Sequence, residues 1–108
     1  MTKERKLAIK MWQDIKRLLP EWVKLDPDDI ATFLRNYKDE FCTSNKVHWL
    51  YDCWLCQYFR DNCEKCPLHS CYYAAPWTAW ARIVSGSTSI KTKLAACDEI
   101  ILALGGKP

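Results

Sequence analysis

Glycine is scarce in this chain, with three in 108 residues, two of them adjacent at Gly105 and Gly106. That scarcity excludes the Gly-rich loops that cradle phosphates in nucleotide-binding proteins. Histidine is scarcer still, with two residues, His48 and His69. No nucleophile, base and orienting group fall into a recognisable catalytic arrangement, and no pair of carboxylates is set up for acid–base work. The zinc-deaminase pattern is also missing, because no His-x-Glu precedes the cysteines. An enzyme is not expected. No apolar run is long enough to span a bilayer, which excludes a membrane-crossing helix. The opening Met1-Thr2-Lys3-Glu4-Arg5-Lys6 is followed by no apolar core of the secretory-leader kind, so the expected compartment is the cytoplasm. No run of alternating strands surrounds the cysteines, which argues against a thioredoxin-like redox pair.

Cysteine and tryptophan are abundant instead, at seven and six residues. Five of the cysteines crowd between Cys53 and Cys71. Cys53/Cys56 and Cys63/Cys66 form two Cys-x-x-Cys pairs, and Cys71 follows the second. Each such turn lets two thiolates converge on one tetrahedral ion, and two turns complete a four-sulfur shell. The spacing predicts a Zn²⁺ site built from Cys53, Cys56, Cys63 and Cys66, with Cys71 and His69 as alternative ligands. Four protein thiolates leave no open position for water, so the zinc is expected to be structural. Disulfide staples fit poorly, since the cysteine count is odd and no leader precedes it. An iron–sulfur cluster is the competing cofactor, because Cys66-Pro67 resembles the Cys-Pro ending of ferredoxin motifs. His48 stands near Cys53 but sits beside aromatics, where a packed or surface role is the simpler expectation.

Length bounds the chain to one domain, 1–108, read as a helical pair at 1–45, a metal-binding knuckle at 46–75 and C-terminal helices at 76–108. The fold class is mainly α. From Lys3 to Leu19, Ala8, Met11/Trp12, Ile15 and Leu18/Leu19 recur at helical spacing, and Pro20 is expected to end or kink that helix. Asp26 can cap a second helix with Pro27 in its first turn, and Leu25 and Ile30 stand where a hydrophobic staple would close. That helix is expected to bury Ile30, Phe33, Leu34, Tyr37 and Phe41, to fray from Cys42 to Asn45, and to pack antiparallel to the first. Cys42 reads as a buried small residue at its end.

Residues 47–54 are ambiguous between helix and strand. Pro76 can start a short helix carrying Trp77, Trp80 and Val84, and Gly86 breaks it. Ser87 or Ser89 then caps a last helix with Ile90, Leu94, Cys97, Ile101 and Leu104 on its apolar stripe, closed by Gly105-Gly106. Tyr51, Trp54, Tyr58, Phe59, Tyr72, Tyr73, Trp77 and Trp80 surround the cysteines, where rings packed on ligand turns supply buried area.

Charge is uneven. The formal net charge is +3, and ionised thiolates with one Zn²⁺ would bring it to about +1. Residues 1–24 carry seven basic and three acidic side chains, and 25–42 carry two and five. Mutual pairing of these two helices is the simpler use of that asymmetry. A nucleic-acid face made by Lys3, Arg5, Lys6, Lys10, Lys16 and Arg17 is the alternative.

The order Cys53, Cys56, Cys63, Cys66-Pro67-Leu68, Cys71, Pro76-Trp77, Trp80 and a closing Ile90–Leu104 helix resembles a group of small cysteine-rich proteins encoded by bacteriophages. The resemblance covers about the second half of the chain. It departs in the short Cys66–Cys71 segment, which lacks the Thr-Gly common there, and in Trp77, where Tyr is usual. It implies a metal-stabilised fold acting in the cytoplasm of an infected bacterium, and carries no settled activity. Phage proteins of this size often bind and block a host machine or defence. The expected function is therefore a protein-binding inhibitor or adaptor with a bacterial host protein or complex as partner. A nucleic-acid-binding zinc module is the alternative and an iron–sulfur protein the third reading.

Overall fold

The computed structural model describes residues 3–47 and 79–107. These form four helices in the order α1 (Lys3–Leu25), α2 (Ile30–Ser44), α3 (Ala79–Val84) and α4 (Ile90–Ala103), with no strand among the described residues. The fold is mainly α, with an N-terminal helix pair and a closing helix, as the apolar periodicities require. The expected knuckle, its aromatics from Tyr51 to Trp77, and the start at Pro76 lie outside the described residues.

Ala8, Met11, Trp12, Ile15 and Leu19 of α1 are fully buried, and all fall on one face at the spacing of a 3.6-residue repeat. Each large apolar side chain so buried contributes about 1.5–3 kcal/mol. Of the two outcomes expected at Pro20, an end or a kink, the end does not occur: the helix runs on through it to Leu25. An interior proline costs about 3 kcal/mol, and aromatic packing beyond it offsets that cost. Trp22 stacks on Phe33 of α2, with centroids 6.0 Å apart and planes 16° from parallel, and meets Tyr37 at 6.0 Å. Towards the start of α1, Asp14 accepts a hydrogen bond from the Tyr37 hydroxyl at 3.1 Å. Lys38 Nζ lies 5.7 Å from the Trp12 ring centroid. The order Trp22–Phe33, Asp14–Tyr37, Trp12–Lys38 makes α1 and α2 antiparallel, as predicted.

The turn between them differs from expectation. α2 begins at Ile30 with Asp29 in the capping position and no side-chain cap. Asp26 instead closes the turn itself: its carboxylate accepts from the Asp28 amide at 3.1 Å and its carbonyl from the Asp29 amide at 3.2 Å. Aspartate readily forms such local turns, and here the local bond wins over a helix cap. Leu25 is 73% exposed, so the expected staple with Ile30 does not close.

The end of α4 follows local rules closely. Ser89 accepts from the Thr92 amide at 3.2 Å as its N-cap, the second of the two serines considered. Beyond Leu104, Gly105 takes φ 90°. Its amide donates to the Leu102 carbonyl, and the Gly106 amide donates to that of Ile101, both at 2.9 Å. This is the Schellman ending, in which glycine takes the left-handed residue without a Cβ clash. A Cβ at Gly106 would meet Ile9 Cγ2 at 2.5 Å, so the same dipeptide lets α4 close onto α1.

Candidate metal centre and its helical frame

Cys53, Cys56, Cys63, Cys66, Cys71 and His69, the sequence-predicted ligands, all lie outside the described residues, as does His48. Among the described residues no group of three or more histidine, cysteine or acidic side chains gathers in a way that could hold a metal. The donor chemistry of the cysteine cluster fits zinc, which binds thiolate sulfur in closed tetrahedral shells. The two cysteines outside the cluster are described. Cys97 is fully buried on the α4 stripe, as predicted. Burial first, and then the neighbouring Asp98 charge, push its thiol up from its ordinary value to about 12, with Lys16 opposing. A thiol so held is a packing group and a poor nucleophile or metal ligand. Cys42 is half-buried in the last turn of α2, less enclosed than expected.

The frame fixes how the chain enters and leaves the cysteine-rich segment. α2 ends in a second Schellman arrangement: the Lys46 amide donates to Thr43 at 3.3 Å and the Val47 amide to Cys42 at 3.0 Å. Lys46 occupies the left-handed position at φ 57°, where glycine is usual. Asn45 adds a side-chain bond to the Phe41 carbonyl at 2.8 Å. On the far side of the segment, Ala79 and Ile83 of α3 are buried, and α3 packs against both α2 and α4. The helices flanking residues 48–78 are therefore neighbours.

Two side chains hold this frame in roles that differ from a surface cation's, Lys93 and Arg5. Lys93 is 1% exposed. Its ammonium donates to the carbonyl of Ile83 at 2.9 Å, to Thr88 Oγ1 at 2.8 Å and to the carbonyl of Ser85. Three protons meet three acceptors at the end of α3, so the buried charge is fully hydrogen-bonded. Burial alone lowers its pKa. The available signal was its position, four residues before Cys97 and thus on the apolar stripe. Arg5 is the other: its Nε donates to the Leu104 carbonyl at 2.7 Å and Nη2 to Ala103 at 3.5 Å. No sequence pattern foretells a contact spanning 99 positions.

The basic face is redistributed accordingly. Arg5 is drawn onto the end of α4, and Lys16 pairs with Asp98 of α4 at 2.6 Å. Arg17 pairs within its own helix, with Asp14 at 3.1 Å, while Lys3, Lys6 and Lys10 stay exposed. Among the described residues α1 meets α2 through aromatic packing, and Lys16 and Arg17 of α1 pair with α4 and within α1. None of the described helices is long and apolar enough to cross a membrane. No protein-family model matches the chain, and neither a curated protein nor a solved structure matches it.

Proposed function

We propose that this chain is a small zinc-stabilised protein of bacteriophage type that binds a bacterial host protein or complex as an inhibitor or adaptor, with host defence as the target class. In this reading zinc is held by Cys53, Cys56, Cys63 and Cys66, and the sequence between α2 and α3 that carries them is rich in aromatic residues. Tryptophan, tyrosine and arginine dominate the energetics of protein interfaces, and this segment is dense in the first two.

The observation that carries the protein-binding reading over the nucleic-acid one is the inward use of Arg5 and Lys16. Two of the six cations proposed for a phosphate-binding face are committed to α4 and are half-buried there. Nucleic-acid affinity draws largely on cations free to neutralise phosphates, each releasing counterions. Committing these two weakens the proposed phosphate-binding face, and the holo charge near +1 adds little long-range attraction to it.

The test is affinity capture from nuclease-treated bacterial lysate. The expected result is a stoichiometric protein partner that survives nuclease. Retention of nothing, together with steeply salt-dependent binding of DNA or RNA by the purified protein, would replace this reading with the nucleic-acid module.

A further inference from the structure

The outward side of α1 carries Lys3, Lys6, Lys10, Gln13, Arg17, Glu21 and Lys24, and all seven are exposed. At about 100° per residue they fall within an arc of about 80°, opposite the buried stripe. The face is thus a single line about 30 Å long. Five of its seven residues are cations. Gln13 Nε2 donates to the Lys107 carbonyl at 2.9 Å, which brings a sixth cation, the exposed Lys107, beside the middle of the line. Among the described residues, no ion pair involves Lys3, Lys6, Lys10, Lys24 or Lys107.

The line changes sign at one end. Glu21 interrupts it, and just past Lys24 the turn exposes Asp26, Asp28 and Asp29. From these placements we propose that the α1 face is a docking surface for a partner protein whose own surface is acidic along about four helical turns and basic beyond them. The proposal rests on the protein-binding reading above and names the chemistry of that partner. A nucleic acid is uniformly negative, and the exposed carboxylates of Glu21 and of the turn at Asp26, Asp28 and Asp29 repel it at this end of α1. A protein surface can change sign where this one does. A second copy of the chain is a poor occupant, because the face has no apolar centre from which a stable dimer could be built. Docking through such a face is fast and salt-sensitive, and sets orientation more than affinity.

The probes are two synthetic helical peptides and a DNA duplex of matched length. One peptide carries glutamates at three- and four-residue spacing followed by lysines; the other carries glutamate throughout. The peptide that changes sign should bind most tightly and weaken as NaCl rises from about 50 to about 300 mM. Lys3→Glu/Lys6→Glu/Lys10→Glu should cost it about ten-fold in affinity. Arg35→Glu/Lys91→Glu, a double change at exposed cations on other helices, should leave binding within about two-fold. Asp28→Asn/Asp29→Asn should erase the preference over the all-glutamate peptide. Tighter binding of the duplex than of either peptide overturns the proposal, as does a triple variant that behaves like the double one. A host partner captured equally by wild type and triple variant would overturn this surface while leaving the inhibitor reading in place. Selective peptide binding with no host partner captured would support the surface and remove the inhibitor reading.

Discussion

Arg5 and Leu104 join the two ends of the described chain: the guanidinium Nε of the first donates to the carbonyl of the second at 2.7 Å. The last carbonyls of a helix have no partner within it, and a cation there also complements the helix dipole. Arg5 therefore caps α4 from α1, next to the Ile9–Gly106 contact that seats the two helices together. Arg5→Ala should cost about 1.5–3 kcal/mol, the usual worth of a charge-assisted hydrogen bond. Arg5→Lys should recover only part, because a lysine cannot reproduce the planar fork. Urea denaturation of the three proteins measures both; a loss below about 0.5 kcal/mol in Arg5→Ala would assign the cap no weight.

Lys93 serves the end of α3 as Arg5 serves the end of α4, but from a fully buried position. Lys93→Met keeps most of the stem and removes the donors, leaving the carbonyls of Ile83 and Ser85 without this partner. An unsatisfied buried acceptor costs about 1–3 kcal/mol. The variant should lose about 2–4 kcal/mol, more than relief from burying the ammonium can return. Hydrogen exchange should localise the loss, with α3 and the first turn of α4 deprotected before α1. Uniform deprotection across all helices would show that Lys93 supports the whole core and not this joint.

Pro20 offers the opposite sign. It sits inside α1, where it removes one helical hydrogen bond and crowds the preceding turn. The helix persists because Leu19 and Trp22 carry the core past it. Pro20→Ala should therefore stabilise the protein by about 1–3 kcal/mol, read as a higher thermal midpoint. A lower midpoint would mean that the proline fits a bend on which the Trp22–Phe33 stack depends.

What could be read from the sequence divides along the same line. Ser89, Gly105-Gly106 and the Cys97 stripe obey rules that act over one or two helical turns, and each stands where those rules put it. Continuation through Pro20 and the failure of Asp26 to cap α2 depend on packing or competing turn bonds, which local propensity does not contain. The roles of Arg5 and Lys93 escape local rules for a related reason: a charged side chain reads as surface until a partner carbonyl arrives from elsewhere in the fold. The metal-ligand set is the reverse case. Its spacing is explicit in the sequence, and its geometry lies outside the described residues.

Alkaline pH should expose the two raised acids in the core. Burial, mainly, holds the Cys97 thiol at about 12 against an ordinary 9.0. Burial, then the hydrogen bond to Asp14, holds the Tyr37 hydroxyl at about 12 against 10.0. Both folded values are raised, so the native state keeps protons that the unfolded chain releases. Their contribution is complete below about pH 9 and falls as pH rises towards about 12. Lys93, lowered by burial from 10.5, acts in the opposite direction, so each contribution is best read as a difference between proteins. Denaturation midpoints from pH 7 to pH 11 (roughly the accessible range) should fall less steeply above pH 9 in Cys97→Ala than in wild type. In Tyr37→Phe the difference should begin nearer pH 10. Parallel curves for all three proteins would remove both groups from the alkaline transition.

The metal prediction bears on residues 48–78, which hold all six candidate ligands. A segment with two Cys-x-x-Cys pairs and little aliphatic sequence has few means of folding without a crosslink, and bound zinc supplies folding free energy directly. Protein purified without added metal should contain one zinc per chain and be colourless. Chelation should lower the thermal midpoint by more than about 10 °C, while an unchanged melt after verified metal removal would show that the helical frame stands alone. The ligand set is tested one thiol at a time. Cys56→Ser and Cys63→Ser should each abolish stoichiometric zinc, whereas Cys71→Ser and His69→Ala should retain it. Retention in Cys63→Ser with loss in Cys71→Ser would move the fourth ligand to Cys71 without disturbing the site. A brown protein absorbing near about 400 nm would instead assign the cysteines to an iron–sulfur cluster. A colourless protein without stoichiometric zinc would defeat both, and the cysteines would then be free thiols around an aromatic core.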